Sequence, residues 1–151
     1  MSTKLPAETH RREKKMSSIR LVTEDFSVSP QIALSDLKVA ASQGVKRVIC
    51  NRPDDEDAGQ INSTEARAAT EALGMSYVHI PVRGGPTPDQ VEEMRTAISD
   101  AGGSVLAYCR SGTRSIVTWA IGQMVSGERE VPELIALGTA AGYDLSSVLR
   151  R

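Results

Sequence analysis

Apolar positions in this chain gather into short continuous runs, and between those runs apolar residues recur every three or four positions. Short apolar runs bounded by turn residues mark strands buried on both faces, and the wider spacing marks amphipathic helices. Ile19-Arg20-Leu21-Val22-Thr23 predicts a first strand, with Phe26-Ser27-Val28-Ser29 pairing beside it across Glu24-Asp25. Val45 to Cys50, Met75 to Ile80 and Ser104 to Tyr108 predict three more.

Capping residues set the helices between them. Ser35 is expected to cap a helix running to about Gln43, with Gly44 in the stop position. Asn62, with Glu65 three residues on, opens a second helix from about Ser63 to Leu73, stopped by Gly74. Thr87-Pro88-Asp89-Gln90 combines a cap, a proline at the first position and a reciprocal Gln, and that helix lasts to about Ala101. A fourth runs from the Cys109 loop to about Ser126, another spans Pro132 to Ala140, and a short last one Ser146 to Arg151. This alternation predicts an α/β fold: three layers, a mainly parallel central sheet flanked by helices. Right-handed crossovers then bring the exits of strands 45–50, 75–80 and 104–108 to one edge, where ligands bind in such sheets. Arg52, Arg83-Gly84-Gly85 and the Cys109 loop should converge there.

Composition narrows the class. At 151 residues, 40% hydrophobic and 25% charged, the chain reads as one globular domain, and aromatics at 3% leave the core to Ala, Val, Ile and Leu. A formal charge of −1 argues against nucleic acid as the main partner, and no stretch approaches a membrane span. Basic residues are concentrated at the start, where Lys4, Arg11, Arg12, Lys14 and Lys15 face only Glu8 and Glu13. Residues 1–16 therefore read as a disordered basic leader without the apolar core of a signal peptide, and 17–151 as a single catalytic domain. Two cysteines and no secretory signal point to free thiols in a reducing, cytoplasmic compartment. Cys50 reads as a small buried strand residue, with a resolving thiol for Cys109 as the alternative.

The chemistry is concentrated in Cys109-Arg110-Ser111-Gly112-Thr113-Arg114-Ser115, set between a strand and a helix. A cysteine there sits in a cup of backbone N–H groups at a helix N-terminus, a natural anion site that favours thiolate chemistry. Arg114 can close the cup with a planar two-pronged donor. Such a unit suits attack by sulfur on an anionic substrate.

Beyond its chemistry, the chain resembles the phosphatase-like domain of beta-lactamase-hydrolase-like proteins, also named as a sulfurtransferase family. The resemblance covers about residues 17–149. It rests on Phe26-Ser27-Val28-Ser29-Pro30-Gln31, Ile49-Cys50-Asn51-Arg52-Pro53-Asp54, His79-Ile80-Pro81-Val82, the Ala107 to Ser115 stretch and Ala141-Gly142-Tyr143-Asp144. It implies a cysteine-phosphatase, dual-specificity-phosphatase-like architecture. It also implies a candidate partner, a separate metallo-β-lactamase-like sulfur-oxidising protein. With only His10 and His79, this chain is not expected to hold such a metal centre itself, nor any other cofactor.

Two departures from the phosphatase pattern favour sulfur over phosphorus. Only Arg110 to Thr113 intervene between Cys109 and Arg114, one residue fewer than in cysteine phosphatases, and the loop is similar to that of rhodaneses. Phosphatases also place an aspartic acid after the strand matching 75–80 to protonate the leaving group. Here Arg83-Gly84-Gly85-Pro86-Thr87-Pro88 carries none before Asp89, which reads as favourable charge in a first helical turn. The first expectation is thus a rhodanese-type sulfurtransferase working through a Cys109 persulfide. The alternatives are a phosphomonoester hydrolase acting through phosphocysteine, or a non-catalytic anion- or redox-sensing module.

The expected catalytic residues are Cys109 as nucleophile, Arg114 as oxyanion binder and Ser115 as thiolate partner or helix cap. Arg110, Ser111, Gly112 and Thr113 supply the cup and its mouth, with Arg52 and Arg83 at the rim. The substrate is a small anion such as thiosulfate, a persulfide or a phosphate ester. Asp54-Asp55-Glu56-Asp57 reads as a solvated loop, His79 as a structural histidine and Trp119 as core.

Overall fold

A computed structural model describes residues 18–149, so the basic leader and the last two residues lie outside the described range. The strands are β1 (Arg20–Thr23), β2 (Phe26–Ser29), β3 (Val45–Cys50), β4 (Ser76–His79) and β5 (Ser104–Tyr108). The helices are α1 (Leu34–Ser42), α2 (Ser63–Ala72), α3 (Pro88–Ser99), α4 (Thr113–Ser126) and α5 (Val131–Ala141). The strands form one sheet in the order β1-β2-β5-β3-β4, with β1 antiparallel to β2 and every other pairing parallel. β5 lies at the centre, between β2 and β3, and its carboxyl end opens into the Cys109 loop.

Period-two alternation divides the core in two. Val105 and Ala107 point, with Phe26, Val28 and Ile49, to a face covered by Met94 of α3, Ile116 and Trp119 of α4 and Leu134 of α5. Leu106 and Tyr108 point the other way, with Val48, Cys50 and Tyr77, under Leu37 of α1 and Ala66 of α2. Trp119 stacks on Phe26 with ring centroids 5.1 Å apart, as expected of a core residue. Among the described residues no helix is long and apolar enough to cross a membrane.

Two expectations need correction. The first helix is not capped by Ser35. Ala33 occupies the cap position, and its N–H donates to the Asp36 carboxylate at 2.8 Å, so the helix start is held by an acid reaching back and not by a cap hydroxyl. The short last helix is instead a turn over 146–148 within the described residues. There the Asp144 carboxylate takes both the N–H and the hydroxyl of Ser146, at 3.0 and 2.6 Å, which bends the chain locally. Buried Leu145 and Leu149 pin that turn to the core.

Candidate active site

The Cys109 loop is short because one glycine turns it. Cys109 is fully buried at the end of β5, and its N–H donates to Ser29 O at 3.4 Å. Gly112 has φ of +94°, a conformation open to glycine and costly for other residues, and it places the next N–H groups at the start of α4. The Gly112 N–H donates to Cys109 Sγ at 3.1 Å. One amide of the expected cup therefore meets the sulfur directly. The Thr113 amide instead donates to the Ser111 hydroxyl at 3.3 Å, so Ser111 and Thr113 form the loop's exposed outer edge. Ser115 is neither cap nor hydrogen-bond partner of the sulfur: it is buried inside the first turn of α4, and its hydroxyl has no hydrogen-bond partner among the described residues.

Arg114 closes the site from α4. Its Nη1 and Nη2 donate in parallel to Glu56 Oε2 and Oε1, both at 2.8 Å, and Nη1 also donates to Val82 O at 2.9 Å. A guanidinium has five N–H groups. These bonds use three, leaving the Nε–H and one Nη2–H side by side. The Arg114 pKa lies above its ordinary value, first because of the Glu56 carboxylate and further because Cys109 is close by. Glu56 responds in the opposite direction, down to about 2, chiefly through its hydrogen bonds with Arg114 and then with Arg52.

Arg52 is not a rim residue. Its side chain is 3% exposed, with Nε on Glu56 at 2.9 Å, Nη2 on Asp57 at 2.7 Å and Nη1 on Gln31 at 2.9 Å. It braces the acidic loop instead of facing a ligand. Arg110 projects outward at 67% exposure, 3.5 Å from Asp57, and Arg83 is exposed in the β4 exit loop. Asp89 is exposed in the first turn of α3, where it was expected to serve the helix.

A family model for the phosphatase-like domain of beta-lactamase hydrolase-like proteins matches residues 18–126. A beta-lactamase hydrolase-like protein of Agrobacterium fabrum is 30% identical over 136 residues, 89% of this chain and 31% of its own length. The chain belongs to this family. It spans about a third of the length of the curated relatives it matches. A provisionally named phosphatase of Neisseria meningitidis is similar in structure, with TM-score 0.78 and 34% identity, covering 87% of this chain and 93% of that one. Kinase-associated phosphatase, solved with its catalytic-site cysteine replaced by serine, shares the fold at TM-score 0.61 and 16% identity, covering 82% and 84%. The architecture is that of the cysteine phosphatases, a mixed five-stranded sheet between helices.

Within this family member the acidic loop is more than a solvated stretch. Asp54 accepts the N–H and hydroxyl of Ser63 at 2.8 Å each, anchoring the start of α2. Glu56 and Asp57 gather Arg52, Arg114 and Arg110. Glu56 is thus a site residue that sequence reasoning missed; the available signal was an acid run at the exit of β3, facing several arginines at the same sheet edge. Tyr143 was missed as well, although its hydroxyl donates to Ser111 O at 2.9 Å.

Behind the site lies a second polar cluster. Burial pushes the Cys50 thiol up, but hydrogen bonds from His79 and Tyr108 outweigh it and bring it below the ordinary value. His79 is raised in turn, first by Cys50, and its Nε2 also meets Arg52 O at 2.8 Å. It is the structural histidine expected, and it ties β4 to the brace loop. A cleft of about 780 Å3 lies between α3 and α4 near Gly103 and Ser104 at the amino end of β5. Its lining includes no residue of the Cys109 loop, so volume and chemistry disagree. A small anion needs donors more than volume, and the Gly112 amide and Arg114 both lie next to Cys109.

Proposed function

We propose that this chain passes sulfane sulfur through a persulfide on Cys109. The observation that carries the reading is the setting of Arg114. Its end-on fork is taken by Glu56, two of its N–H groups are left over for an anion, Cys109 is close by, and the β4 exit loop carries no carboxylate. A thiosulfate ion fits this setting, its sulfonate oxygens accepting from Arg114 and the loop amides.

Cys109 sulfur attacks the sulfane sulfur of thiosulfate. A new S–S bond forms as the S–S bond of thiosulfate breaks, and sulfite leaves with the electron pair. An acceptor nucleophile then attacks the outer sulfur of the persulfide, and the Cys109 thiolate departs. Neither leaving group needs a proton, so a missing general acid is no handicap. The regenerated thiolate keeps the Gly112 N–H as its donor. Gly112 permits the turn; Arg110 and Arg83 draw anions to the mouth formed with Ser111 and Thr113. The family resemblance implies a partner for this chemistry, a separate metallo-β-lactamase-like sulfur-oxidising protein.

A second reading, phosphomonoester hydrolysis through phosphocysteine, draws support from the phosphatase names and folds of the structural neighbours. Assays with thiosulfate plus cyanide and with an aryl phosphate separate the two, using Cys109→Ala as control. Thiocyanate release lost in the variant is the expected result. Phosphate release lost in the variant, without thiocyanate, would replace sulfur transfer by hydrolysis.

A further inference from the structure

The hydroxyl of Tyr143 and the sulfur of Cys109 engage opposite ends of one peptide unit. Tyr143 Oη donates to Ser111 O at 2.9 Å, and the Gly112 N–H donates to Cys109 Sγ at 3.1 Å. Those two groups belong to the same planar amide, in which C=O and N–H point in opposite directions. Fixing the carbonyl outward therefore fixes the N–H inward. Turned over, the same amide would present an oxygen to the sulfur and repel any anion above it. Gly112, at φ of +94°, has the backbone freedom that makes such a turn accessible.

The phenol is held firmly in that position. Gly142, at φ of +97°, ends α5 and sends the Tyr143 N–H back to Gly138 O at 2.8 Å, which aims the ring at the loop. A Cβ added at Gly112 would lie 2.1 Å from Tyr143 Oη, so the hydroxyl occupies the space over the turn. Burial raises the Tyr143 pKa, and the neighbouring Cys109 raises it further, which keeps the donor protonated.

We infer that Tyr143 is a positioning residue that pins the Ser111–Gly112 peptide with its N–H toward Cys109 and so keeps the loop receptive to anions. The inference rests on Cys109 being the nucleophile of the site, not on which anion it attacks.

The test compares alkylation of Cys109 by iodoacetate, an anion, with alkylation by iodoacetamide, its neutral counterpart, at one pH. Peptide mass mapping tracks each cysteine in wild type, Tyr143→Phe and Tyr77→Phe. Tyr77→Phe is a control for simple destabilisation, since it removes a buried hydroxyl 3.0 Å from Tyr108 Oη and away from the loop. In Tyr143→Phe the iodoacetate-to-iodoacetamide ratio at Cys109 should fall by at least about threefold, the scale of one lost hydrogen bond. Tyr77→Phe should hold the wild-type ratio. A smaller fall in Tyr143→Phe, or an equal fall in both variants, overturns the inference. This ratio is read without any sulfur donor, so it stands or falls separately from the sulfurtransferase proposal.

Discussion

Cys50 and Cys109 end neighbouring parallel strands, are both buried, and differ almost wholly in the segment each strand runs into. After β5, residues 109–112 turn on Gly112 straight into α4, so the sulfur meets its own loop's amide and then a guanidinium. After β3, residues 51–62 form a long loop before α2, and the sulfur meets that loop's carbonyl, donating to Arg52 O at 3.4 Å, with His79 and the hydroxyl of Tyr108 beside it. Cys50 has a lowered pKa without any opening to an anion. Its partners close over it, and Tyr108 is itself strongly raised, first by burial. A strand-end thiol becomes a candidate nucleophile through the turn after it, not through burial or acidity alone.

The largest effect should come from removing each of the two thiols in turn. Cys109→Ser should lower sulfur transfer by at least about a thousandfold, as expected for loss of a nucleophile, while Cys50→Ser should stay within a few-fold of wild type. Steady-state thiocyanate assays decide it. Equal losses in both would erase the distinction between the two sites.

Next in size is Arg114→Lys. It removes both the fork that holds Glu56 and the second N–H pair offered to the anion but keeps the charge, and kcat/KM should fall by about a hundredfold, on the scale of one lost oxyanion donor. A loss of only a few-fold would mean that a point charge suffices and the fork is incidental.

Glu56 allows a pH test. Its folded carboxyl titrates at about 2 against an ordinary 4.5. A depressed acid stabilises the fold fully above its unfolded value, so this contribution persists above about pH 4.5 and is lost as pH falls toward 2. Glu56→Gln should flatten the acid limb of thermal stability in that window and lower kcat/KM by roughly tenfold through a less fixed Arg114. The side chain is 26% exposed, so solvent screening keeps the stability change modest.

The smallest effect should come from the Cys50 side. His79 is raised above its ordinary 6.5, so its stabilising contribution is complete below that pH and declines as pH rises through the folded value. His79→Asn should remove that alkaline decline in the unfolding midpoint while leaving Cys109 chemistry nearly intact. A matching collapse of sulfur transfer would show that the brace loop transmits to Arg114 more strongly than the geometry implies.

Local features of this site were legible in the sequence. The Cys109–Arg114 spacing, Gly112 and the helix after them occupy one short segment, and the apolar runs mark every strand to within a residue or so. Long-range features were not. Glu56 meets Arg114 58 positions away, and an acid run without its partner looks like solvent-facing charge. Arg52 looked like a rim cation because its acids, Glu56 and Asp57, seemed to belong to water. Tyr143 bonds a backbone carbonyl, which leaves no mark in the order of side chains. Ser35 misled in a simpler way, because Asp36 holds the helix start from inside the first turn.

The central claim is that transferred sulfur lands on Cys109. The direct measurement is peptide mapping by mass spectrometry of the reduced full chain after brief exposure to thiosulfate. One added sulfur atom on the Cys109 peptide, with the Cys50 peptide unchanged, is the predicted result. Sulfur on Cys50, or on neither peptide of a folded protein, would contradict it.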